Sequence, residues 1–132
     1  MKVIDSSSVA KLVNKEENWE SVEEALRGGC ISLELAVKET GNSLWKRVRT
    51  KQLDSKKAQR VFQEFITSLP FRVAEQQELY ALAFEIAIAY GLTIYDALFL
   101  ALAKTKAMPL VTSDSTQANF AKKLSLVVEL VP

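Results

Sequence analysis

The sequence predicts an α/β protein built on a parallel sheet, and three observations carry that prediction. Short apolar runs at Lys2 to Ile4, Cys30 to Leu33, Pro70 to Ala74, Leu110 to Thr112 and Ser125 to Val131 read as strands. Segments with apolar residues at helical spacing separate them. That alternation requires crossover connections, hence parallel strands with helices covering both faces. The chain has 132 residues, 48% apolar and 25% charged. Most simply it is one soluble domain over 1–132, long enough to bury a core.

The elements follow in order. Lys2 to Ile4 is a buried strand ending at Asp5. Ser7 to Val13 is a helix through Val9, Leu12 and Val13, and Trp19 to Arg27 another through Trp19, Val22, Ala25 and Leu26. Gly28-Gly29 stops the second helix before the Cys30 strand. Leu35 to about Lys51 is helical, with Leu35, Val37, Leu44, Trp45 and Val48 as its apolar positions. A further helix begins at Asp54 and carries Ala58, Val61, Phe62, Phe65 and Ile66. After the Pro70 strand, Gln76 to Tyr90 is a strongly apolar helix ended by Gly91. Thr93 caps the helix containing Asp96, Pro109 opens the fourth strand, and Asp114 or Ser115 caps the last helix.

Composition removes several chemistries. There is no histidine, so Ser-His-Asp and Cys-His mechanisms and histidine-ligated zinc are out. Catalysis has to rest on carboxylates, hydroxyls, lysines or a metal held by oxygen, and oxygen donors select hard cations such as Mg2+ or Mn2+. The one cysteine, Cys30, reads as a core thiol and allows no intramolecular disulfide, which favours the cytoplasm. The N-terminus lacks the apolar run of a signal peptide, and the longest charge-free run, Ile86 to Tyr95, is too short for a bilayer, so no membrane is expected.

Three aspartates stand out. Asp5 and Asp114 each follow a strand-like run, where ligands bind in parallel sheets. Asp96 is the only charge between Gly91 and Ala103, and on a helix it shares a face with Phe99, Leu100 and Ala103. It is therefore expected to be partly packed against the core, where an ionised carboxylate needs compensation. Each aspartate has a structural reading too, as the cap or capping-box partner of a helix. The two readings are compatible, because a cap at a strand's carboxyl end points into the cleft. Glu39 lies inside a helix, sharing a face with Asn42; alone it reads as a surface acid.

Charge is unevenly spread although the net is +1. Glu16, Glu17, Glu20, Glu23 and Glu24 form an acidic stretch. Lys46, Arg47, Arg49 and Lys51 form a basic one, either a solvated face or, beside an active site, contacts to nucleic acid. Tyr95 and Trp45 read as core residues, with base stacking as the alternative.

Four segments together resemble a known family: Val3-Ile4-Asp5-Ser-Ser-Ser8, Lys38-Glu39-Thr-Gly-Asn42, Thr93-Ile-Tyr-Asp96-Ala-Leu-Phe-Leu-Ala101 and Leu110-Val-Thr-Ser-Asp114. Their order and spacing are those of a PIN domain, in the compact VapC-type toxin form, over essentially the whole chain. The resemblance implies a three-layer α/β/α fold, a central parallel sheet of about five short strands flanked by helices. It implies a metal-dependent endoribonuclease using Mg2+ or Mn2+, the homodimeric toxin of a toxin–antitoxin pair. Family acidic positions fall on Asp5, Glu39, Asp96 and Asp114 as catalytic and metal-holding residues, with Ser7, Asn42 and Thr112 supporting them. Lys46, Arg47, Arg49 and Lys51 are the candidate RNA contacts. Some members carry another acid after the fourth motif; here Ser115, Thr116 and Gln117 follow, which leaves one ion or two open. Alternatives are a PIN-like module that binds RNA or protein without cutting, and a PIN nuclease of RNA processing without an antitoxin. Phosphoryl transfer on Asp5 is disfavoured, because Ser7 stands where such enzymes carry a second aspartate.

Overall fold

A computed structural model describes residues 1–132. Five parallel strands, β1 (Lys2–Ile4), β2 (Cys30–Ser32), β3 (Arg72–Val73), β4 (Leu110–Thr112) and β5 (Val128–Leu130), form one sheet in the order β3-β2-β1-β4-β5. Val3 fixes the centre: it lies beside Ile31 of β2 and Leu110 of β4. Val3, Ile4, Leu110 and Val111 are fully buried, as the unbroken apolar character of these strands requires.

Seven α-helices connect the strands: α1 (Ser6–Val13), α2 (Trp19–Arg27), α3 (Glu34–Arg49), α4 (Ser55–Thr67), α5 (Tyr80–Tyr90), α6 (Ile94–Lys106) and α7 (Ser115–Lys123). The chain moves from β1 through β2 to β3 on one side, then returns to β4 and β5 on the other. Right-handed crossovers then put α1 to α4 on one face and α5 to α7 on the opposite face. Packing agrees: α1 rests on α2 and α3, α3 on α4, and α5 on α6. The three-layer α/β/α architecture is thus present. Its switch in direction falls between β1 and β4, where a crevice opens at the carboxyl ends of the strands.

Several expected boundaries shift. The third strand shrinks to two exposed residues at a sheet edge; Pro70 has no N–H to donate, and pairing covers only Arg72 and Val73, closing where the Ala74 N–H donates to the Ser32 carbonyl. The last strand starts at Val128, because Ser125 takes a left-handed φ of 63° and closes α7 instead. The apolar helix expected from Gln76 opens as a 3-10 turn, Gln77–Leu79. Gly91 ends α5 at φ 68°, a conformation cheap only for glycine. No single helix is long and apolar enough to cross a membrane.

Candidate active site

Asp5, Glu39, Asp96 and Asp114 line one cleft of about 260 Å³, together with Ser6, Ser7, Ala10, Phe99 and Gln117. Asp5 is the first residue after β1 and the N-cap of α1. Asp114 lies just beyond β4 and caps α7. Asp96 is in the first turn of α6, and Glu39 projects from the middle of α3. No lysine or arginine is among the lining residues.

Asp5 forms the floor. It is only 4% exposed, and both its oxygens are engaged. Oδ1 accepts from the Ser7 hydroxyl at 2.6 Å and the Ser8 N–H at 3.3 Å, and Oδ2 from the Thr112 hydroxyl at 2.5 Å. Burial pushes its pKa up to about 6; the bonds from Ser7, Thr112 and Ser8 act against that, and the charge of Asp114 adds to it. Ser7 and Thr112 also touch each other at 3.2 Å. Three contacts therefore share two hydroxyl protons when Asp5 is ionised. A third proton, on Asp5 itself, completes the set.

Thr112 ties the two strand ends together, since its Oγ1 also accepts from the Asp114 N–H at 3.1 Å. Ser7 does likewise, accepting from the Ser113 N–H at 2.9 Å. Two of the three supporting positions expected from the sequence, Ser7 and Thr112, thus hold the floor in place. Asn42 does not: it is exposed and absent from the cleft lining. It follows Glu39 by three residues on α3 and points outward.

The capping readings resolve by atom. Asp114 Oδ1 accepts from the N–H groups of Thr116 and Gln117, while no hydrogen bond holds Oδ2. Thr93 Oγ1 accepts from the Asp96 N–H at 3.3 Å, but the Asp96 carboxylate completes no capping box. One cap and half of another leave carboxylate oxygens facing the cleft.

Asp96, expected to be partly packed against the core, is more exposed than that and meets the core only where it lines the cleft beside Phe99. Residues 97–103 are buried on every side of α6, so the helix has no single core face. Asp96 precedes that stretch at the helix end, and its carboxylate is exposed. Its pKa is still raised, first by partial desolvation and then by Asp114, with Thr93 opposing. Trp45 and Tyr95 are likewise surface residues, 52% and 58% exposed.

Two cleft residues carried no recognisable signal in the sequence. Ser6 donates to Glu39 Oε1 at 2.7 Å and fixes that acid against α1. Buried Gln117 donates from Nε2 to the Asp96 carbonyl at 2.9 Å and joins α7 to α6. Both hide within runs of small polar residues that read only as caps.

The donor set, all oxygen and without an internal cation, suits a hard divalent ion. No three acids stand close enough to make a ready coordination sphere. The Asp96 carboxylate is exposed and accepts no capping bond, and Asp114 keeps Oδ2 unbonded while Oδ1 caps α7.

Comparison with known proteins agrees with this fold. The PIN domain family matches residues 2–123. Ribonuclease VapC3 of Pyrobaculum aerophilum is 34% identical over 122 residues, 89% of this chain and 92% of that protein. Exonuclease VapC9 of the same organism is 31% identical over 112 residues, 85% of this chain and 79% of that protein. The crystal structure of PAE2754 from Pyrobaculum aerophilum superposes with a TM-score of 0.72 at 27% identity, covering 96% of this chain and 89% of that one. VapBC2 from Rickettsia felis, bound to a DNA fragment from their promoter, shares the fold at a TM-score of 0.67 and 15% identity, covering 99% and 98%.

Proposed function

Since the chain belongs to the PIN domain family and is of the VapC type, we propose that it is a metal-dependent endoribonuclease, the cytoplasmic toxin of a toxin–antitoxin pair. The observation that carries the reading is the meeting of Asp5, Glu39, Asp96 and Asp114, from four separate elements, in one cation-free cleft at the switch point of the sheet. Likeness to a ribonuclease VapC3 and an exonuclease VapC9 supports the nuclease, and likeness in fold to VapBC2 is what supports an antitoxin partner.

Asp5, Asp96 and Asp114 would hold Mg2+ or Mn2+, with Glu39 completing the set. When bound, such an ion supplies acidity to water and offsets charge on the phosphodiester. The chain's own residues do the rest. Ser7 and Thr112 keep the Asp5 carboxylate fixed in one orientation, so no side-chain freedom is lost when a ligand arrives. Ser6 restrains Glu39 beside the cleft, where its carboxylate is placed to orient an attacking water and accept its proton. Below about pH 6 Asp5 holds a proton that has to leave for the site to become a full anion.

For the homodimer, the supporting feature is α5: Tyr80, Phe84 and Ile88, spaced one turn apart, are all exposed on one stripe. One observation favours a module that grips RNA or protein without cutting, namely the lack of a ready three-carboxylate cluster. Thermal unfolding with and without Mg2+ separates the readings. The nuclease gains stability from the ion and loses that gain in Asp114→Asn; a non-cutting module shows neither.

A further inference from the structure

We propose that the groove between α1 and α3 leads from the acidic cleft to a phosphate seat made by Lys46 and Arg47. It would grip the RNA strand at a phosphate away from the bond that is cut. The inference rests on the nuclease reading and adds to it how an acidic cleft retains an anionic substrate.

Two depressions lie along the same pair of helices. Ala10 of α1 and Glu39 of α3 line the acidic cleft. One turn further on stand Asn14 and Ser43, which line a second depression of about 420 Å³ with Glu16, Lys46, Arg47 and Gln52. Lys46 follows Glu39 by seven residues, hence nearly on the same face and about 10 Å along the axis. A short stretch of strand covers that distance.

Arg47 is held ready. Its Nη1 donates to Asn14 Oδ1 at 2.9 Å. Asn14 is fixed in turn, donating from Nδ2 to the Ala10 carbonyl at 2.9 Å and to Ser43 Oγ at 3.0 Å. Ser43 Oγ donates to the Thr40 carbonyl at 2.7 Å. The guanidinium is therefore oriented by a neutral partner, which leaves its charge and most of its five donors free. The ion pairs of the protein, Lys2–Glu129 and Arg27–Glu24, lie elsewhere. The turn after α3 folds back so that the N–H groups of Gln52 and Leu53 both reach the Arg47 carbonyl, which brings Gln52 to the rim. A helix C-terminus favours cations in any case. That preference does not account for the chain of hydrogen bonds that aims Arg47. Glu16 is the one acid in the lining and opposes the two cations.

The basic stretch is thereby divided. Arg49 stacks over the Trp45 ring, 4.7 Å from its centroid, and Lys51 sits in the turn beyond with a φ of 61°. Neither lines the seat.

The test uses a single-stranded RNA oligonucleotide, with Kd measured in EDTA across a salt series and KM for cleavage in Mg2+. Lys46→Ala and Arg47→Ala should each raise Kd and KM roughly tenfold. Each should also flatten the slope of log affinity against log salt by about 0.7, one phosphate contact on a single strand. Arg49→Ala should behave as wild type. The Lys46 side chain makes no hydrogen bond within the protein, so its variant reports on the seat even if Arg47→Ala disturbs folding. Asn14→Asp should weaken binding as well, by pairing Arg47 internally. If the wild type binds and cuts RNA while Lys46→Ala and Arg47→Ala keep its Kd, KM and slope, the seat is wrong and the nuclease reading stands. The same result with lost binding of polyglutamate would assign the groove to an acidic protein and also overturn the proposal. A wild type that neither binds nor cuts RNA overturns both readings.

Discussion

Replacing Asp5 by asparagine should make the metal-free protein more stable at neutral pH. Asp5 has a pKa of about 6 in the folded protein against an ordinary value of 3.8, because burial disfavours its charge more than its hydrogen bonds favour it. The folded state thus holds the proton more tightly than the unfolded chain. A raised carboxyl pKa contributes its full stability below about pH 4 and loses it as pH rises through about 6. The shift is roughly two pKa units, or about 3 kcal/mol once Asp5 is ionised in both states. Asparagine keeps the shape: Oδ1 still accepts from Ser7 and the Ser8 N–H, and its amide can donate to Thr112 Oγ1. The assay is urea unfolding of both proteins in EDTA at a series of pH values. Their stabilities should nearly coincide below about pH 4, and the variant should lead by up to about 3 kcal/mol above pH 6. A difference that does not change with pH, or that grows in favour of the wild type as pH rises, would refute the reasoning.

Asp96→Asn, at an exposed position, should leave stability within about 0.5 kcal/mol, while RNA cleavage falls by more than the ~10–100-fold typical of losing a supporting residue. Thr112→Val should cost about 1–3 kcal/mol in unfolding experiments, because the buried Asp5 oxygen loses its donor and the Asp114 N–H its acceptor, and cleavage should fall by ~10–100-fold. Phe84→Asp should shift sedimentation toward the monomer if α5 carries the dimer contact; an unchanged sedimentation coefficient for a dimeric wild type would place that contact elsewhere.

Much of this was legible in the sequence because helices and strands announce themselves locally. Val3-Ile4-Asp5 and Leu110-Val-Thr112 are too apolar and too short to be anything but buried strands, so the acids behind them fall at carboxyl ends. Thr93 and Gly91 mark the ends of α6 and α5 through capping chemistry that acts over a few residues. Burial was harder to read. Helical spacing placed Asp96 and Trp45 inward, but α6 is covered on all sides and its first turn emerges into the cleft, and Trp45 lies on the outer surface under Arg49. The links that make the site, Ser6 to Glu39 and Gln117 to the Asp96 carbonyl, join residues 33 and 21 positions apart. No local pattern encodes such contacts, because they depend on how α1, α3, α6 and α7 converge.

The most direct test of the central claim is cleavage of a circular RNA by the purified protein, with Mg2+ and with EDTA, beside Asp114→Asn and Glu39→Gln. A circle has no end, so only an endonuclease opens it. The account predicts linear products with wild type and Mg2+, none in EDTA, and little or none from either variant. An intact circle beside degraded linear RNA would make the protein an exonuclease. Opening of the circle in EDTA, or at the wild-type rate by both variants, would contradict the assignment of chemistry to this cleft.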